Sequence, residues 1–392
     1  MSEAFDLVVL GGGCAGLSLS MALATLGARC PRTLVIESRT EYTNDRTWCY
    51  WHNPSTPAPY PVQHRWRTMR VAHAGQSVWL DCGSTPYHML AAQDFYAAAQ
   101  GSIDRQPNIE LRRSTSVVGE PSLSGGSWSI RTSAGCVTAR SVVDTRPPRL
   151  PCRDGATLWQ SFYGQDIECS ASVFDPSSID LMNFLAPDAH HIPFVYVLPV
   201  TPTRALVEVT LFAATPFAAR DLSTQLDAAI AQRVGGAPFT TVRREHGILP
   251  MGLTETPRSA HDSFVKVGVM AGGARPSTGY AFQRIQRWAE QCAQALVHSG
   301  YPVGHQRDPL PLRLMDQIFL DVLRADPIRG GDLFFSLFSR ADPARVIRFL
   351  SGTAGVADSL AVVAAMPVLP FVRAALAMTQ RRSSIREAQS AA

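Results

Sequence analysis

Residues 6–16 have the sequence Asp-Leu-Val-Val-Leu-Gly-Gly-Gly-Cys-Ala-Gly, an apolar run that ends in a cluster of glycines. The aliphatic run predicts a buried parallel strand. Residues 17–27 are rich in Ala, Leu and Ser and predict a helix, and residues 33–37, Thr-Leu-Val-Ile-Glu, predict a second strand that ends in an acid. With G-x-G-x-x-G at the turn, the segment predicts the β-turn-α-β unit of dinucleotide-binding domains.

The glycines of this turn suit a bound diphosphate. Gly11 permits the tight turn, Gly13 lets the backbone approach the phosphates, and Gly16 allows the helix to pack closely on the strand. The helix N-terminus at Cys14 and Ala15 adds N–H groups and a partial positive charge.

Glu37 follows Gly16 by 21 residues and stands at the end of the second predicted strand, where an acid binds an adenosine ribose. A glycine turn that only packs against a helix would not call for this acid, although an acid at a strand end is also an ordinary surface residue. The combination predicts a dinucleotide site.

A second glycine-rich segment, 268–279, precedes a predicted helix at 282–298 and favours FAD over NAD. In flavin-binding domains, two segments that are distant in sequence bind the two halves of FAD. The alternative is that 268–279 is a generic helix-capping loop. The segment lacks the Gly-Asp pair of many flavin hydroxylases. The cofactor contacts expected here are Gly272, Gly273, Thr278, Gly279 and Tyr280.

The whole chain of 392 residues predicts an α/β fold: a Rossmann-type FAD-binding domain, a β-rich substrate domain in a flavin hydroxylase-like architecture, and a helical C-terminal region. Residues 109–112, 127–131 and 137–140 predict a meander, and 141–146 a further strand. The expected FAD-binding segments are 1–60, 85–150 and 262–300, the substrate-domain segments are 61–84 and 151–261, and the helical region is 301–392.

Composition excludes several classes of protein. Apolar residues make up 46% and charged residues 17%, which rules out a disordered chain. The net charge of +4 is too balanced to indicate nucleic-acid binding. None of the eight cysteines, Cys152 included, forms a C-x-x-C pair, so no metal or redox motif is expected.

The expected location is the cytoplasm, because the N-terminus runs into a strand pattern without a signal peptide. No stretch reaches the roughly 18 apolar residues that a membrane span needs. The apolar stretch 360–372, followed by Arg373, predicts at most a peripheral contact with the inner face of the membrane, and a packed helix pair is the alternative.

Several blocks, in order along nearly the whole chain, resemble the soluble bacterial and plant-type lycopene cyclases. They are Asn44-Asp-Arg-Thr-Trp48 with Trp51, Phe162-Tyr-Gly164, the run 174–184, Phe194-Val-Tyr-Val-Leu-Pro199, Glu208-Val-Thr210, Glu245-His-Gly-Ile-Leu-Pro250, Pro276-Ser-Thr-Gly-Tyr280 and Met315-Asp-Gln-Ile-Phe-Leu320.

This resemblance implies an FAD-dependent enzyme, an intramolecular lyase or isomerase, that needs the flavin reduced, with NAD(P)H as an external reductant, yet performs no net redox change. The implied substrate is a long apolar polyene such as lycopene. An acid protonates its terminal double bond, an inner double bond attacks the cation, and loss of a proton sets the ring type. Such chemistry needs a carboxylic acid that an apolar pocket keeps protonated, and a site that excludes water.

Glu208 matches the family's catalytic glutamate and is the expected proton donor; a core or edge glutamate paired with Arg204 is the alternative. Relatives often carry a second acid directly after the first or one position further on, and this chain has Val209 there. Glu245 is a second candidate, although Arg243 and Arg244 make a surface ion pair equally reasonable.

The block at 44–51 supplies further candidates. Asp45 and Arg46 are expected to shape the flavin or the cation site, and Trp48 and Trp51 to offer π faces or simply to lie in the core. Asp144 is either structural or close to the adenine.

Other classes share this architecture. They are flavin monooxygenases, prenyl-chain reductases, a cyclase of the same family that acts on another isoprenoid, and a non-enzymatic lipid- or carotenoid-binding module. The missing Gly-Asp pair argues against a monooxygenase, and the turn glycines with Glu37 argue against a mere binding module.

Overall fold

The computed structural model describes residues 3–53, 55, 60–147, 155–254 and 261–390, with side chains for all of these except 379 and 381–390. Cys152 lies outside the described residues. The strands of the described part are β1 (Glu3–Leu10), β2 (Thr33–Ile36), β3 (Thr47–Trp51), β4 (His64–Trp66), β5 (Thr68–His73), β6 (Gln76–Asp81), β7 (Tyr87–Ala91), β8 (Ile109–Arg112), β9 (Ser122–Ser124), β10 (Ser127–Thr132), β11 (Gly135–Asp144), β12 (Ala156–Cys169), β13 (Ser178–Phe184), β14 (His191–Pro199), β15 (Arg204–Ala213), β16 (Phe239–Leu253) and β17 (Phe264–Lys266).

The helices of the described part are α1 (Cys14–Ala24), α2 (Ala92–Asp104), α3 (Ala219–Val234), α4 (Phe282–Ser299), α5 (Leu310–Ala325), α6 (Gly330–Arg340), α7 (Pro343–Ser351), α8 (Val356–Ala364) and α9 (Val368–Ser390). The predicted division into domains stays a prediction.

The first sheet has the order β8-β2-β1-β11-β10-β9, with β17 also beside β11. Strands β8, β2, β1 and β11 are parallel, as the β-turn-α-β pattern predicts. The predicted meander is wrong for β8, which lies at the opposite edge of the sheet from β9 and β10. Strand β11 is also one continuous strand rather than two, because its first half pairs with β10 and its second half with β17.

Helices α1, α2 and α4 cover one face of this sheet. The α1 residues Leu17 and Leu23 pack with Phe95 of α2 and with Phe282 and Trp288 of α4 in one apolar cluster. This packing brings the start of α1 close to the start of α4. The glycine turn at residues 11–16, called the phosphate turn below, and the second glycine-rich segment therefore lie on the same side of the molecule.

The second sheet has the order β16-β12-β15-β14-β13-β5-β6, and its strands are antiparallel except for the pair of β13 and β5. The hairpin of β14 and β15, predicted from their apolar runs, is confirmed. Residues on successive positions of a strand point to opposite faces. Val207 and Val209 of β15 face helix α3, where they pack against Leu226 and Ile230. The other face is left for the site.

Helices α5 to α7 close that other face. Phe334 and Phe338 of α6 belong to the same core as Phe194 and Phe212 of the sheet. A third sheet of three strands, β3-β7-β4, lies between this core and the first sheet.

A buried ion pair ties the C-terminal helices to the second glycine-rich segment. Arg275 lies 3.2 Å from Asp316 of α5 and donates to the carbonyl of Phe349 in α7, while Ser277 donates to Asp316 at 2.7 Å. The three sheets and the C-terminal helices thus surround one cavity.

Candidate active site

One cavity of about 570 Å³ joins the phosphate turn to the antiparallel sheet. At one end it is lined by Gly13, Cys14 and Ala15, and at the other by Glu208 and Glu245. The cofactor segments and the candidate acids, which are far apart in sequence, therefore share a single space.

The phosphate turn has the geometry that its sequence predicts. Gly11 has φ +101°, a conformation that favours glycine. A Cβ on Gly16 would lie 2.1 Å from the carbonyl oxygen of Gly11, so the helix packs against the turn more closely than any side chain allows. A Cβ on Gly13, by contrast, would have no atom within 4 Å.

Helix α1 offers its first N–H groups to this open space. Its N-cap is Gly13, no side chain caps it, and no acid stands in its first turn. Unpaired N–H groups and the positive end of the helix dipole attract an anion. The donors at Cys14 and Ala15 and the vacant space at Gly13 fit the diphosphate of a dinucleotide.

Glu37 lies behind this turn, 5% exposed. Its carboxylate accepts hydrogen bonds from the backbone N–H of Gly12 (2.9 Å) and of Arg39 (2.8 Å), from the Arg39 guanidinium (2.9 Å) and from Ser38 (3.3 Å). Burial by itself raises the pKa of Glu37, but the hydrogen bonds and charge of Arg39, with the Gly12 bond, lower it below its usual value. A ribose hydroxyl would have to replace Ser38 or the Arg39 guanidinium.

Only some of the predicted contact residues of the second glycine-rich segment line the cavity. Thr278, Gly279 and Tyr280 line the cavity. Gly272 and Gly273 form the turn that precedes them, where the N–H of Gly273 donates to the carbonyl of Gly268 at 2.9 Å. Among the described residues, these two glycines do not belong to the cavity wall.

Asp45 lies near Arg39, the partner of Glu37, and not beside Glu208 and Glu245. Its carboxylate accepts from Arg46 (2.9 Å) and from Tyr96 (3.0 Å), and Arg39 is 3.6 Å away. Burial alone raises the pKa of Asp45, but Arg46, Tyr96 and Arg39 bring it below its usual value. Asp45 is outside the cavity wall of the described residues, whereas Arg46 lines it.

The two tryptophans of the same block pack against other aromatic rings. Trp48 contacts Phe95 and Phe282, and Trp51 contacts Tyr87 and Tyr280. Asp144 accepts two hydrogen bonds from the side chain of Arg146, 2.8 and 2.9 Å, which gives it a structural partner.

Glu208 and Glu245 stand in one row across the antiparallel sheet. Tyr196 pairs with Glu208, Glu208 pairs with Gly164, and Gly164 pairs with Glu245 on β14, β15, β12 and β16. Residues directly opposite in a sheet share a face, so all four positions face the cavity. The two glutamate Cα atoms are therefore about 10 Å apart, two strand spacings.

Gly164 leaves the space between the two acids open. A Cβ there would lie 3.2 Å from the Cβ of Glu208, closer than most such contacts. The side chains of Glu208 and Glu245 thus approach each other across a position that carries no side chain.

Glu208 is 7% exposed and has a single hydrogen bond from a described side chain, from Thr210 at 2.9 Å. Arg204, the alternative partner in the sequence, instead pairs with Asp166 through two bonds of 3.0 Å. Burial, followed by the negative charge of Glu245, raises the pKa of Glu208 to about 8, against smaller opposite effects of Thr210 and Arg243. The raised pKa favours the neutral, protonated form of Glu208.

Glu245 is equally buried but has strong donors. Arg243 donates to its Oε2 atom, and Thr47 donates to the same atom at 2.8 Å. The predicted pair of Glu245 with Arg243 exists, but it is buried rather than on the surface, because their side chains are 4% and 10% exposed. A carboxylate with a contacting guanidinium and a hydroxyl donor is stabilised in its charged form.

Three tyrosine hydroxyls form a chain at the same end of the cavity. Tyr196 donates to Tyr87 at 3.0 Å, and Tyr87 lies 3.3 Å from Tyr280. Burial raises the pKa of Tyr87 and Tyr196 well above the usual value, so these phenols stay neutral. Cys49 lies beside Tyr196, and burial raises the pKa of its thiol to about 12.

No sequence pattern pointed to Tyr87, to Thr47 or to the buried contact of Arg243 with Glu245. Thr47 and Tyr196 lie inside blocks that carry the family resemblance, and that was their only signal. Tyr87 stands in the unremarkable run Pro86-Tyr-His-Met-Leu90 and had none.

Within the described residues, no cluster of three or more His, Cys, Asp or Glu side chains fits a metal ion. Among the same residues, no single helix is long and apolar enough to cross a bilayer; α7 and α8 pass that test only as a pair, bent by 115°.

The fold and the site define a flavoenzyme-type architecture with a buried acid next to the cofactor cavity. Solved structures with this fold include a geranylgeranyl bacteriochlorophyll reductase-like protein from Thermoplasma acidophilum, with a TM-score of 0.61, 13% identity and coverage of 95% of this chain and 99% of that one. A flavin-dependent brominase has a TM-score of 0.59, 13% identity and coverage of 97% and 100%. At these identities the likeness concerns the fold alone.

The family is settled by the sequence as a whole. Residues 6–376 match the family described as "Lycopene cyclase protein", so the chain belongs to the lycopene cyclase family. It is similar to the lycopene beta-cyclase of Pantoea ananas, with 25% identity over 97% of this chain and 100% of that one. It is also similar to the lycopene beta-cyclase of Paracoccus sp. (strain N81106 / MBIC 01143), with 29% identity over 62% of this chain and 66% of that protein.

Proposed function

We infer that the protein is a lycopene cyclase that closes the ends of a linear polyene, such as lycopene, into β-type rings by proton addition. The observation that carries this inference is the pair of acids at the end of the cavity. The raised pKa of Glu208 favours the protonated form that can give a proton, while Arg243 and Thr47 donate to Glu245 beside it. A single site thus contains an acid and a negative charge that stabilises a cation.

The reaction needs one proton in and one proton out. Glu208 gives its proton to the terminal double bond, which leaves a tertiary cation on the substrate and a carboxylate on Glu208. An inner double bond then forms the ring bond, and the positive charge moves to the ring. A neighbouring carboxylate, for which Glu245 is placed, removes a proton from the ring carbon to form the final double bond.

The walls of the cavity suit a carbocation. Phe194, Phe212 and Tyr196 present aromatic faces beside Glu208 and Thr210. Aromatic faces attract positive charge without reacting with it, whereas water would quench the cation.

FAD fits the other end of the cavity. Its diphosphate is assigned to the open space at Gly13 and the N–H groups of Cys14 and Ala15, its ribose to Glu37, and its ring to the wall formed by Arg46 and 278–280. Reduced FAD, with NAD(P)H as its external reductant, would add an electron-rich group near the cation. The chain's own residues carry every proton transfer described above.

The experiment that tests this function determines the mass of the product. The purified protein receives lycopene in liposomes with FAD and excess reductant, without oxygen. A cyclase forms an isomer of unchanged mass, and in heavy water the product gains about one deuterium per ring. A product heavier by two hydrogens would instead indicate a prenyl-chain reductase. Incorporation of oxygen once air is admitted would indicate a monooxygenase.

The proposal extends to the membrane, where so apolar a substrate dissolves. Helices α8 and α9 expose several large apolar side chains, among them Val356 (79%), Leu360 (64%) and Leu369 (70%), with Arg373 exposed beside them. An exposed apolar face flanked by positive charge binds the interface of an anionic bilayer.

Replacement of Val356, Leu360 and Leu369 by Ser should release the protein from anionic vesicles in a sedimentation assay. The matched control is the double variant Val118→Ser and Val242→Ser, which changes exposed valines outside these helices. Equal sedimentation of both variants would contradict peripheral docking through α8 and α9.

A further inference from the structure

Arg243 is the one described cation in contact with the acid pair. Its guanidinium bonds to Glu245, donates to Thr47 at 2.6 Å, and lies 3.3 Å from Asp166. Arg243 belongs to β16 of the second sheet and Thr47 to β3, so their hydrogen bond connects the second sheet to the three-stranded sheet. Its geometry is fixed from three sides.

The charges around Arg243 balance only when one of the two glutamates is neutral. Arg204 neutralises the charge of Asp166 through two hydrogen bonds. Arg243 can neutralise the charge of one further carboxylate. A second carboxylate in the same buried site would have no counter-charge, and an uncompensated buried charge is strongly unfavourable.

The hydrogen bonds to the two glutamates determine which of them carries the negative charge. Glu245 has both a guanidinium and a hydroxyl donor on one oxygen, whereas Glu208 has only the hydroxyl of Thr210. Building on the proposed cyclase function, we propose that Arg243 assigns the single proton of the pair: it holds Glu245 as the carboxylate and thereby leaves Glu208 as the acid. Arg243 is a positioning residue, because it acts on the substrate only through the two glutamates.

Other titratable or charged groups face the pair and must be kept unchanged in the test. They are His246 on β16, Asp166 on β12, Arg204 on β15, Tyr196 on β14, Tyr87 on β7, Tyr280 in the second glycine-rich segment, and Cys49 and Arg46 on or beside β3.

The test compares the pH dependence of cyclisation in the wild type, in Arg243→Gln and in Arg243→Lys. In the wild type, activity should fall only on the alkaline side, as Glu208 loses its proton. In Arg243→Gln, Glu245 loses the cation in contact with it and is no longer held as the carboxylate, so a new acid-side fall should appear. The ratio of kcat at about pH 8 to kcat at about pH 6 should then rise at least about tenfold over the wild type.

The conservative variant and a matched control separate this role from a structural one. Arg243→Lys retains the positive charge and should restore the shape of the wild-type profile even where kcat stays lower. Arg70→Gln removes another partly buried arginine of the same sheet. Its partner Asp180 keeps Arg233, so the pH profile should not change. An Arg243→Gln profile of wild-type shape would overturn the proposal.

A second measurement does not require turnover. Infrared spectra should show one protonated carboxyl band near the site in the wild type, which Glu208→Gln removes. In the Arg243→Gln background, a band that Glu245→Gln removes should appear, and its absence would overturn the proposal. If the wild type makes no cyclised product, the proposed function fails, yet these spectra still decide the proton assignment.

Discussion

Glu37 and Glu208 are both buried glutamates on sheets that border one cavity, yet their pKa values are shifted in opposite directions. Glu37 accepts four hydrogen bonds, and its pKa lies below the usual value. Glu208 accepts one from the described side chains, and its pKa is raised to about 8 by burial first and then by the charge of Glu245. Arg39 and Gly12 outweigh the burial of Glu37, whereas burial and the charge of Glu245 outweigh the effects of Thr210 and Arg243 on Glu208.

The comparison indicates how the two ends of one cavity suit the two tasks of the proposed function. The end with many donors and a helix N-terminus suits phosphate and ribose, which need charge and hydrogen bonds. At the other end, Glu208 has one side-chain donor among the described residues and aromatic neighbours, which favours the protonated form that the addition of a proton to an alkene requires.

The largest effect is expected at Gly16. A Cβ there meets the backbone carbonyl of Gly11 at 2.1 Å, so Gly16→Ala should cost about 3 kcal/mol or more in the free energy of unfolding. Chemical denaturation measures this change. The protein should also lose flavin binding, because the turn itself must move.

Gly13→Ala is the matched control for Gly16→Ala. Its Cβ has no neighbour within 4 Å, and its φ of −83° suits alanine, so the free energy of unfolding should be unchanged. Flavin affinity should nevertheless fall at least about tenfold, about 1.4 kcal/mol, because the methyl group takes the space assigned to the phosphates. Unchanged affinity would contradict that assignment.

A smaller effect concerns Glu208 and the pH dependence of stability. Its pKa is raised from 4.5 in the unfolded chain to about 8, so the folded state binds the proton more tightly. The stability contributed by this proton is present below about pH 4.5 and is lost as the pH rises to about 8. Wild type should therefore lose stability over this range more steeply than Glu208→Gln in thermal unfolding.

The smallest effect concerns Glu37, and its sign is opposite. Because the pKa of Glu37 is lowered in the folded state, its contribution to stability is present above the unfolded pKa and is lost as the pH falls. Glu37→Gln should cost about 1 to 2 kcal/mol at neutral pH and less in acid. A cost that grows toward low pH would reverse the contrast with Glu208.

The parts of the molecule that the sequence predicted well are local. The run 6–16, the helix after it and Glu37 lie within one β-turn-α-β unit, where each residue's role follows from its neighbours. The hairpin of β14 and β15 and helix α4 are likewise set by short-range apolar patterns.

The parts that the sequence could not predict depend on pairing between distant strands. Glu208 and Glu245 share a row only because both pair with Gly164, and no local pattern encodes that register. The same limit explains the error at β8, whose short alternating sequence Ile-Glu-Leu-Arg suits an antiparallel meander as well as a parallel edge. Arg243 lies two residues before Glu245, where either a surface or a buried pair fits the sequence.

The most direct test of the account measures cyclisation by Glu208→Gln. The variant should keep flavin binding but lose turnover about a thousand-fold, because an amide cannot donate the proton. Glu168→Gln makes the same change on strand β12, outside the cavity wall of the described residues, and should retain activity. Retained turnover in Glu208→Gln, with about one deuterium per ring in heavy water as in the wild type, would contradict the account and move the role of acid to Glu245.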